Sequence, residues 1–152
     1  MKPARLYKLP QVSLRMVREK TIKVAHKRFE APVHAAEFFQ PLIGDRPIEY
    51  MMAALLDGTG TVTSVVTLAQ GGMHGMGLTV RDVLRAALVG QASAFVLCHN
   101  HPSGVAAPSR EDIEFTRKIQ EAAKLVQVPL LDHVIVTRDA FSTVIPFHLE
   151  EP

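Results

Sequence analysis

One short segment constrains this chain more than any other. A run of apolar residues beginning at Ala94 leads directly into His99-Asn100-His101-Pro102-Ser103-Gly104. The apolar run predicts a buried strand over residues 94–101, and the proline and glycine that follow predict a turn. Because side chains two residues apart lie on the same face of a strand, His99 and His101 should project together, with Cys98 and Asn100 on the opposite face.

The segment after this turn predicts the longest helix, over residues 109–127, with apolar residues at helical spacing. Asp112 lies in its first turn, and Ser109-x-x-Asp112 resembles a capping box, in which the serine is the N-cap. The carboxylate of Asp112 could also turn back toward His99 and His101. Two imidazoles and one carboxylate are a set that zinc accepts, with a fourth position left for water.

A metal-activated water also needs a base to accept its proton. Glu49, at the start of a predicted strand over residues 48–56, is the best candidate for that base. Two plainer interpretations stay open at this point. The histidines could be buried residues satisfied by the backbone, and Asp112 could serve only as a helix cap.

The rest of the chain predicts alternating strands and helices, which indicates an α/β or mixed α+β fold. Short strands are predicted over residues 12–16 and 22–26, a helix from Pro32 to about Gln40, and a strand, tight turn and strand over residues 48–69. A helix follows from the capping residue Thr79 to Gly90, and a further strand covers residues 130–137. The glycine-rich residues 70–78 are predicted to be a loop, with His74 in a candidate substrate flap.

Charge is distributed unevenly along the chain. Residues 1–30 hold nine Lys and Arg against two Glu, a net charge of +7, whereas the rest holds eight basic and thirteen acidic residues, a net charge of −5. Cys98 is the only cysteine, which excludes an intramolecular disulfide and zinc sites built from several cysteines. With no apolar run near the ~20 residues of a membrane span and no signal-peptide pattern, we expect a cytoplasmic protein that does not contact membranes.

The segment from His99 to Asp112 resembles the RadC family, part of the JAMM (JAB or MPN⁺) metalloprotease-like group. The JAMM pattern is Glu, a long gap, and His-x-His-Pro-x₆-Ser-x₂-Asp, which the present spacing fits, with Glu49 about fifty residues upstream. The resemblance implies a JAB/MPN-like domain over residues 31–152, a mixed β-sheet flanked by helices. The charge and the alternating pattern of residues 1–30 predict a basic β arm, which lies mostly outside the resemblance. It also implies a short, single-domain member without the N-terminal helix-hairpin-helix region that many RadC proteins carry.

The same resemblance implies roles for individual residues. His99, His101 and Asp112 would hold Zn²⁺, and Glu49 would be the general base. Ser109 would either hydrogen-bond the reacting oxygen or only cap the helix.

Three further residues are expected to support the ligands rather than to bind the metal. These are Asn100, Ser103 and His133, of which His133 also remains an alternative ligand or a satisfied structural histidine. Cys98 is expected to lie in the core.

The implied function is a zinc-dependent peptidase or isopeptidase that acts on a protein or peptide substrate. The alternative is a DNA-associated protein, since RadC-like proteins are traditionally labelled as DNA-repair proteins and the basic arm could contact phosphates. A non-catalytic scaffold is a third interpretation, and a dimer is compatible with all three.

Overall fold

The computed structural model describes residues 1–71 and 77–145, and the predicted flap residue His74 lies outside them. The elements within these residues are α1 (Pro32–Ile43), β1 (Tyr50–Leu56), β2 (Val62–Gln70), α2 (Val80–Val89), β3 (Ala94–Asn100), α3 (Arg110–Leu125), β4 (Leu130–Val136) and β5 (Phe141–Thr143). The predicted mixed α/β class is confirmed. None of these helices combines the length and the hydrophobicity that crossing a membrane requires.

The strands form one mixed sheet in the order β2-β1-β3-β4-β5. β1 is antiparallel to both β2 and β3, β3 is parallel to β4, and β4 is antiparallel to β5. The parallel pair needs a crossover, and α3 supplies it between β3 and β4. The strand that ends in the two histidines is therefore the central strand of the sheet, supported on both sides.

The sheet separates two apolar cores. α1 packs on one face, and α2 and α3 pack on the other. Along β3, Cys98 lies in the α1 core whereas Leu97 lies in the α2–α3 core. The alternation of side chains then directs His99 toward α3 and Asn100 toward the α1 face, as strand geometry predicts.

The end of α1 differs from the prediction. The helix does not stop near Gln40 but continues through Pro41 to Ile43. Proline removes one helical hydrogen bond, but burial of Ile43 and anchoring of Gln40 offset that loss. The Gln40 side chain donates to the carbonyl oxygens of Thr137 and Ala140 in the β4–β5 turn, at 3.1 and 3.2 Å.

The strands predicted over residues 12–16 and 22–26 are wrong. Residues 1–24 form no helix or strand, and nearly all of them are exposed. The segment first pairs with the sheet at a single bridge between Arg28 and Thr61, beside a hydrogen bond from the Val62 N–H to the Lys27 carbonyl at 2.7 Å. An alternating pattern becomes a strand only where a neighbouring strand accepts its backbone groups, and this segment has none along most of its length. The basic arm is therefore not a β arm.

Gly44 ends α1 and lies against the β4–β5 turn. A Cβ atom at this position would lie 2.8 Å from the Gln40 carbonyl oxygen and 2.9 Å from that of Thr137. Because both neighbours are backbone atoms, we expect Gly44→Ala to lower the free energy of unfolding by about 1–3 kcal/mol in urea denaturation. Gly58→Ala is the matched control, since its nearest neighbour would be 3.8 Å away; equal destabilisation by both substitutions would contradict the prediction.

Candidate metal centre

The two histidines of the His-x-His pair lie together at the carboxyl end of β3. His99 is fully buried, and His101 lies one residue beyond the strand and is partly exposed. The backbone N–H of His101 donates to the Val136 carbonyl oxygen of β4 at 3.1 Å, which extends the sheet past the end of β3. As a result, the Nε2 atoms of His99 and His101 lie only 3.0 Å apart.

Asp112 is held beside them by the start of α3. Ser109 is the N-cap: its Oγ accepts from the Asp112 N–H at 3.0 Å, and Asp112 Oδ2 accepts from the Ser109 N–H at 2.8 Å. In this position Oδ1 lies 3.3 Å from His99 Nε2, and Oδ2 lies 3.2 Å from His101 Nε2. The cap and the approach to the histidines are thus simultaneous, so the two interpretations of Asp112 do not compete.

The turn after β3 determines which nitrogen of His101 is available. Gly104 adopts a φ of +83°, a left-handed conformation that favours glycine, and it returns the chain so that the Val105 carbonyl oxygen lies 2.9 Å from His101 Nδ1. Ser103 Oγ accepts from the Val105 N–H at 3.3 Å and supports this turn. Since a carbonyl oxygen can only accept, Nδ1 of His101 carries a proton, and the neutral ring leaves Nε2 as a lone pair.

The chemistry of this cluster fits a metal ion. The ligand atoms of His99, His101 and Asp112 lie within 4.8 Å of one another, and the cluster could hold a metal ion. Imidazole nitrogen and carboxylate oxygen suit zinc and other transition metals. In the described part of the chain no Lys or Arg forms an ion pair with Asp112, so its charge is opposed only by the two histidines.

The electrostatics of the cluster reflect this closeness. Burial alone would raise the pKa of Asp112, but hydrogen bonds that its carboxylate accepts from His101, from His99 and from the Ser109 N–H lower that pKa far below its usual range. The hydrogen bond to Asp112 raises the pKa of His101, against the opposing effect of burial. The site therefore favours positive charge between its acceptors, whether a proton or a metal cation supplies it.

Glu49 lies beside the cluster because of the register between β1 and β3. The β1–β3 ladder ends where Met51 pairs with His99, and Glu49 lies two residues before Met51, just as His101 lies two residues after His99. Glu49 is half-buried, and its negative charge contributes to raising the pKa of His101. The structure thus brings together all four residues that the sequence assigned to metal binding and base catalysis.

Asn100 supports the backbone around Glu49. Its Oδ1 accepts from the Tyr50 N–H at 2.7 Å, and its Nδ2 donates to the Ile48 carbonyl oxygen at 3.0 Å. The buried amide therefore binds the chain immediately before and after Glu49. Asn100 lies on the opposite face of β3 from the histidines and does not contribute to the metal cluster itself.

Comparison with models of known protein families identifies the relatives of this chain. The model of the RadC-like JAB domain matches residues 29–145. The chain belongs to this family. The matched region begins next to the Arg28–Thr61 bridge and ends just after β5, so it contains every helix and strand of the described residues.

Several curated relatives of this RadC-like JAB domain carry only the designation UPF0758 protein. A protein of Geobacter sulfurreducens is 32% identical over 127 residues, which cover 84% of this chain and 56% of the relative. Another, from Trichlorobacter lovleyi, is 36% identical over 115 residues, covering 76% and 50% of the two chains. A third, from Burkholderia ambifaria, is 37% identical over 130 residues, covering 84% and 50%. The chain thus spans about half the length of the curated relatives it matches.

Two parts of the site were not found from the sequence. One is the Val105 carbonyl, which bonds His101 Nδ1. Because it is a backbone group, the residue type at position 105 does not predict this contact. Thr116 contacts both His133 and the first turn of α3, with its Oγ1 2.6 Å from His133 Nδ1 and 2.6 Å from the Asp112 carbonyl oxygen. Its position four residues after Asp112, on the same helix face, is the one signal that could have suggested it.

The His101–Asp112 contact predicts how the stability of metal-free protein depends on pH. The pKa of His101 is raised in the folded state, so its contribution is complete below the unfolded pKa of about 6.5 and is lost as pH rises through the folded pKa. With chelator present to keep the protein metal-free, the free energy of unfolding should therefore decrease as pH rises above about 6.5 and through the raised pKa of His101. Burial lowers the pKa of His133, which costs stability only as pH falls below about 6.5.

Urea denaturation across this pH range provides the measurement. His101→Gln should remove most of the alkaline decrease, because the substituted side chain does not titrate. His26→Gln is the control, since His26 pairs with Glu37 far from the cluster and the decrease should persist. An unchanged alkaline slope in His101→Gln would contradict the assignment.

Proposed function

We propose that this domain is a zinc-dependent hydrolase that cleaves peptide or isopeptide bonds. The observation that supports this most directly is the convergence of His99 Nε2, His101 Nε2 and the Asp112 carboxylate beside a half-buried Glu49. Three protein ligands with one open position are typical of catalytic rather than structural zinc sites. A domain of the RadC-like JAB family with this arrangement has the parts that water activation needs.

His99, His101 and Asp112 would hold the zinc ion. Zinc bound there would polarise the scissile carbonyl and lower the pKa of a water molecule. Glu49 would accept the proton of the attacking water and then return it to the leaving amine nitrogen. Asn100 would keep Glu49 in reach by fixing the backbone on both sides of it.

Ser109 has a hydroxyl that can perform two tasks at once. Its oxygen accepts the Asp112 N–H as the N-cap, which uses a lone pair and leaves the O–H free to donate. That O–H would stabilise the negative oxygen that forms when water attacks a carbonyl group. Capping and catalysis by Ser109 are therefore compatible.

Substituting the base separates catalysis from metal binding. We expect Glu49→Gln to retain one zinc per chain, because the three ligands are unchanged, while kcat falls about 10²–10⁴-fold. His99→Ala should lose the zinc. Zinc is measured by elemental analysis, and rates are measured on panels of fluorogenic peptides and lysine-linked isopeptides.

Glu121→Gln is the matched control, since it makes the same chemical change on the exposed face of α3. It should keep both zinc and rate. Wild-type protein without stoichiometric zinc would contradict the metal assignment, and an undiminished rate in Glu49→Gln would contradict the role of the base.

A second candidate function is nucleic-acid binding through residues 1–24. This segment is exposed, lies outside the sheet and carries most of the +7 charge of the first thirty residues. Lys and Arg that neutralise phosphates release counterions, which makes affinity fall steeply with salt. The segment has few aromatic side chains, so contact with phosphates is better supported than base stacking.

Charge neutralisation tests this function without removing the segment. Substituting Gln for Lys2, Lys8, Arg15, Arg18 and Lys20 should weaken binding to duplex and single-stranded DNA and should reduce the slope of log K against log salt. The control substitutes Gln for five basic residues of the body, Arg81, Arg110, Arg117, Lys118 and Lys124. Equal slopes for the two variants would exclude the segment as the binding surface.

A further inference from the structure

A chain of buried contacts leads from α3 through β4 to the candidate ligand His99. Thr116 Oγ1 lies 2.6 Å from the Asp112 carbonyl oxygen and 2.6 Å from His133 Nδ1. His133 Nε2 in turn lies 2.7 Å from His99 Nδ1. Thr116 is 2% exposed, and both histidines are 0% exposed, so water does not compete for these bonds.

The position of each proton in this series of hydrogen bonds follows from the bond that Thr116 makes to Asp112. A threonine hydroxyl has one proton, and the Asp112 carbonyl oxygen can only accept, so the proton of Thr116 lies between these two oxygens. Thr116 Oγ1 must then accept from His133, which places a proton on His133 Nδ1. His133 is fully buried and forms no ion pair with a described carboxylate, so its ring is neutral. Its Nε2 atom therefore has no proton and carries a lone pair.

The same reasoning continues to His99. Because His133 Nε2 is a lone pair, the bond between the two rings requires a proton on His99 Nδ1. A neutral His99 then presents a lone pair at Nε2, the atom that lies 3.3 Å from Asp112 Oδ1 and 3.0 Å from His101 Nε2. The buried hydrogen bonds therefore require the same tautomer of His99 that can bind a metal.

We propose that Thr116 and His133 are positioning residues that hold His99 in its metal-binding tautomer. Neither would touch the metal or the substrate, and Thr116 would act on His99 through His133. The proposal rests on the proposed function in one respect, that a metal is the partner of His99 Nε2. His101 obtains the same tautomer from the Val105 carbonyl, so a side-chain substitution can remove this control at His99 but not at His101.

The Thr116→Val substitution removes the hydroxyl and preserves the shape of the side chain. His133 then has no acceptor at Nδ1, and it can satisfy the inter-ring bond by donating from Nε2 instead. That reversal moves the His99 proton to Nε2, where it opposes metal binding. We expect zinc affinity, measured by competition with a chelator, to fall about tenfold to a hundredfold, which is the usual effect of losing an outer partner.

Two further variants separate proton placement from general destabilisation. Thr116→Ser keeps the hydroxyl and should retain an affinity within about threefold of wild type, well short of the loss typical of a removed outer partner. Ile119→Val lies one turn further along α3 in the same core and also loses a methyl group, but it should not change zinc affinity. If Thr116→Ser loses as much affinity as Thr116→Val, or if Ile119→Val does, the proposal is overturned.

Nitrogen NMR of the imidazole rings in metal-free protein gives a readout that does not depend on zinc. Wild type should show His99 protonated at Nδ1, and Thr116→Val should show a shift of that proton toward Nε2. Wild-type His99 protonated at Nε2 and bare at Nδ1 would overturn the proposal even if Thr116→Val does not fold. Failure of wild type to bind zinc would instead defeat the proposed function, while the NMR result would still decide the tautomer.

Discussion

The architecture of this domain depends on bringing hydrogen-bond acceptors close together in a buried place. Two imidazole nitrogens lie 3.0 Å apart at the end of the central strand, with the oxygens of one carboxylate 3.2 and 3.3 Å from them. Such groups are stable at this distance only with a proton or a metal cation among them, and low polarity around them increases that requirement. Each group must therefore be held in place by contacts that do not depend on the cation.

Those contacts come from different parts of the fold. The capping box at the start of α3 fixes Asp112, and the turn after β3 fixes the ring of His101 through a backbone carbonyl. β4 brings His133 against His99. A cap of this kind contributes about 1 kcal/mol to a helix, so one interaction both stabilises α3 and aims the carboxylate. The central strand, supported on both sides, gives these contacts a rigid base.

The basic segment at the start of the chain, in contrast, is not held by the sheet. Its charge is evident from composition, but charge does not provide a partner strand, and residues 1–24 lie outside the sheet. Pairing with the sheet begins at the Arg28–Thr61 bridge, and Phe29 packs against Phe38 of α1 with ring centroids 5.2 Å apart. The family match begins at the same place. The family match and the pairing with the sheet thus begin at adjacent residues.

The sequence by itself determined what local geometry controls. Strand alternation placed His99 and His101 on one face, and the spacing from Ser109 to Asp112 defined a helix cap, because both rules involve residues within four positions of each other. Most of the helices and strands were predictable for the same reason. The exceptions were short or context-dependent: β5 has three residues, and α1 continues past its proline because of contacts with the β4–β5 turn.

Only the tertiary structure decided which distant residues complete the site. His133 is 34 positions from His99, and Tyr50, next to Glu49, is 50 positions from Asn100. These contacts depend on strand order and register, which no local pattern specifies. The role of Thr116 and the absence of strands from the basic segment have the same origin. Each depends on whether a partner group from elsewhere in the chain lies within hydrogen-bonding distance, and folding alone determines that.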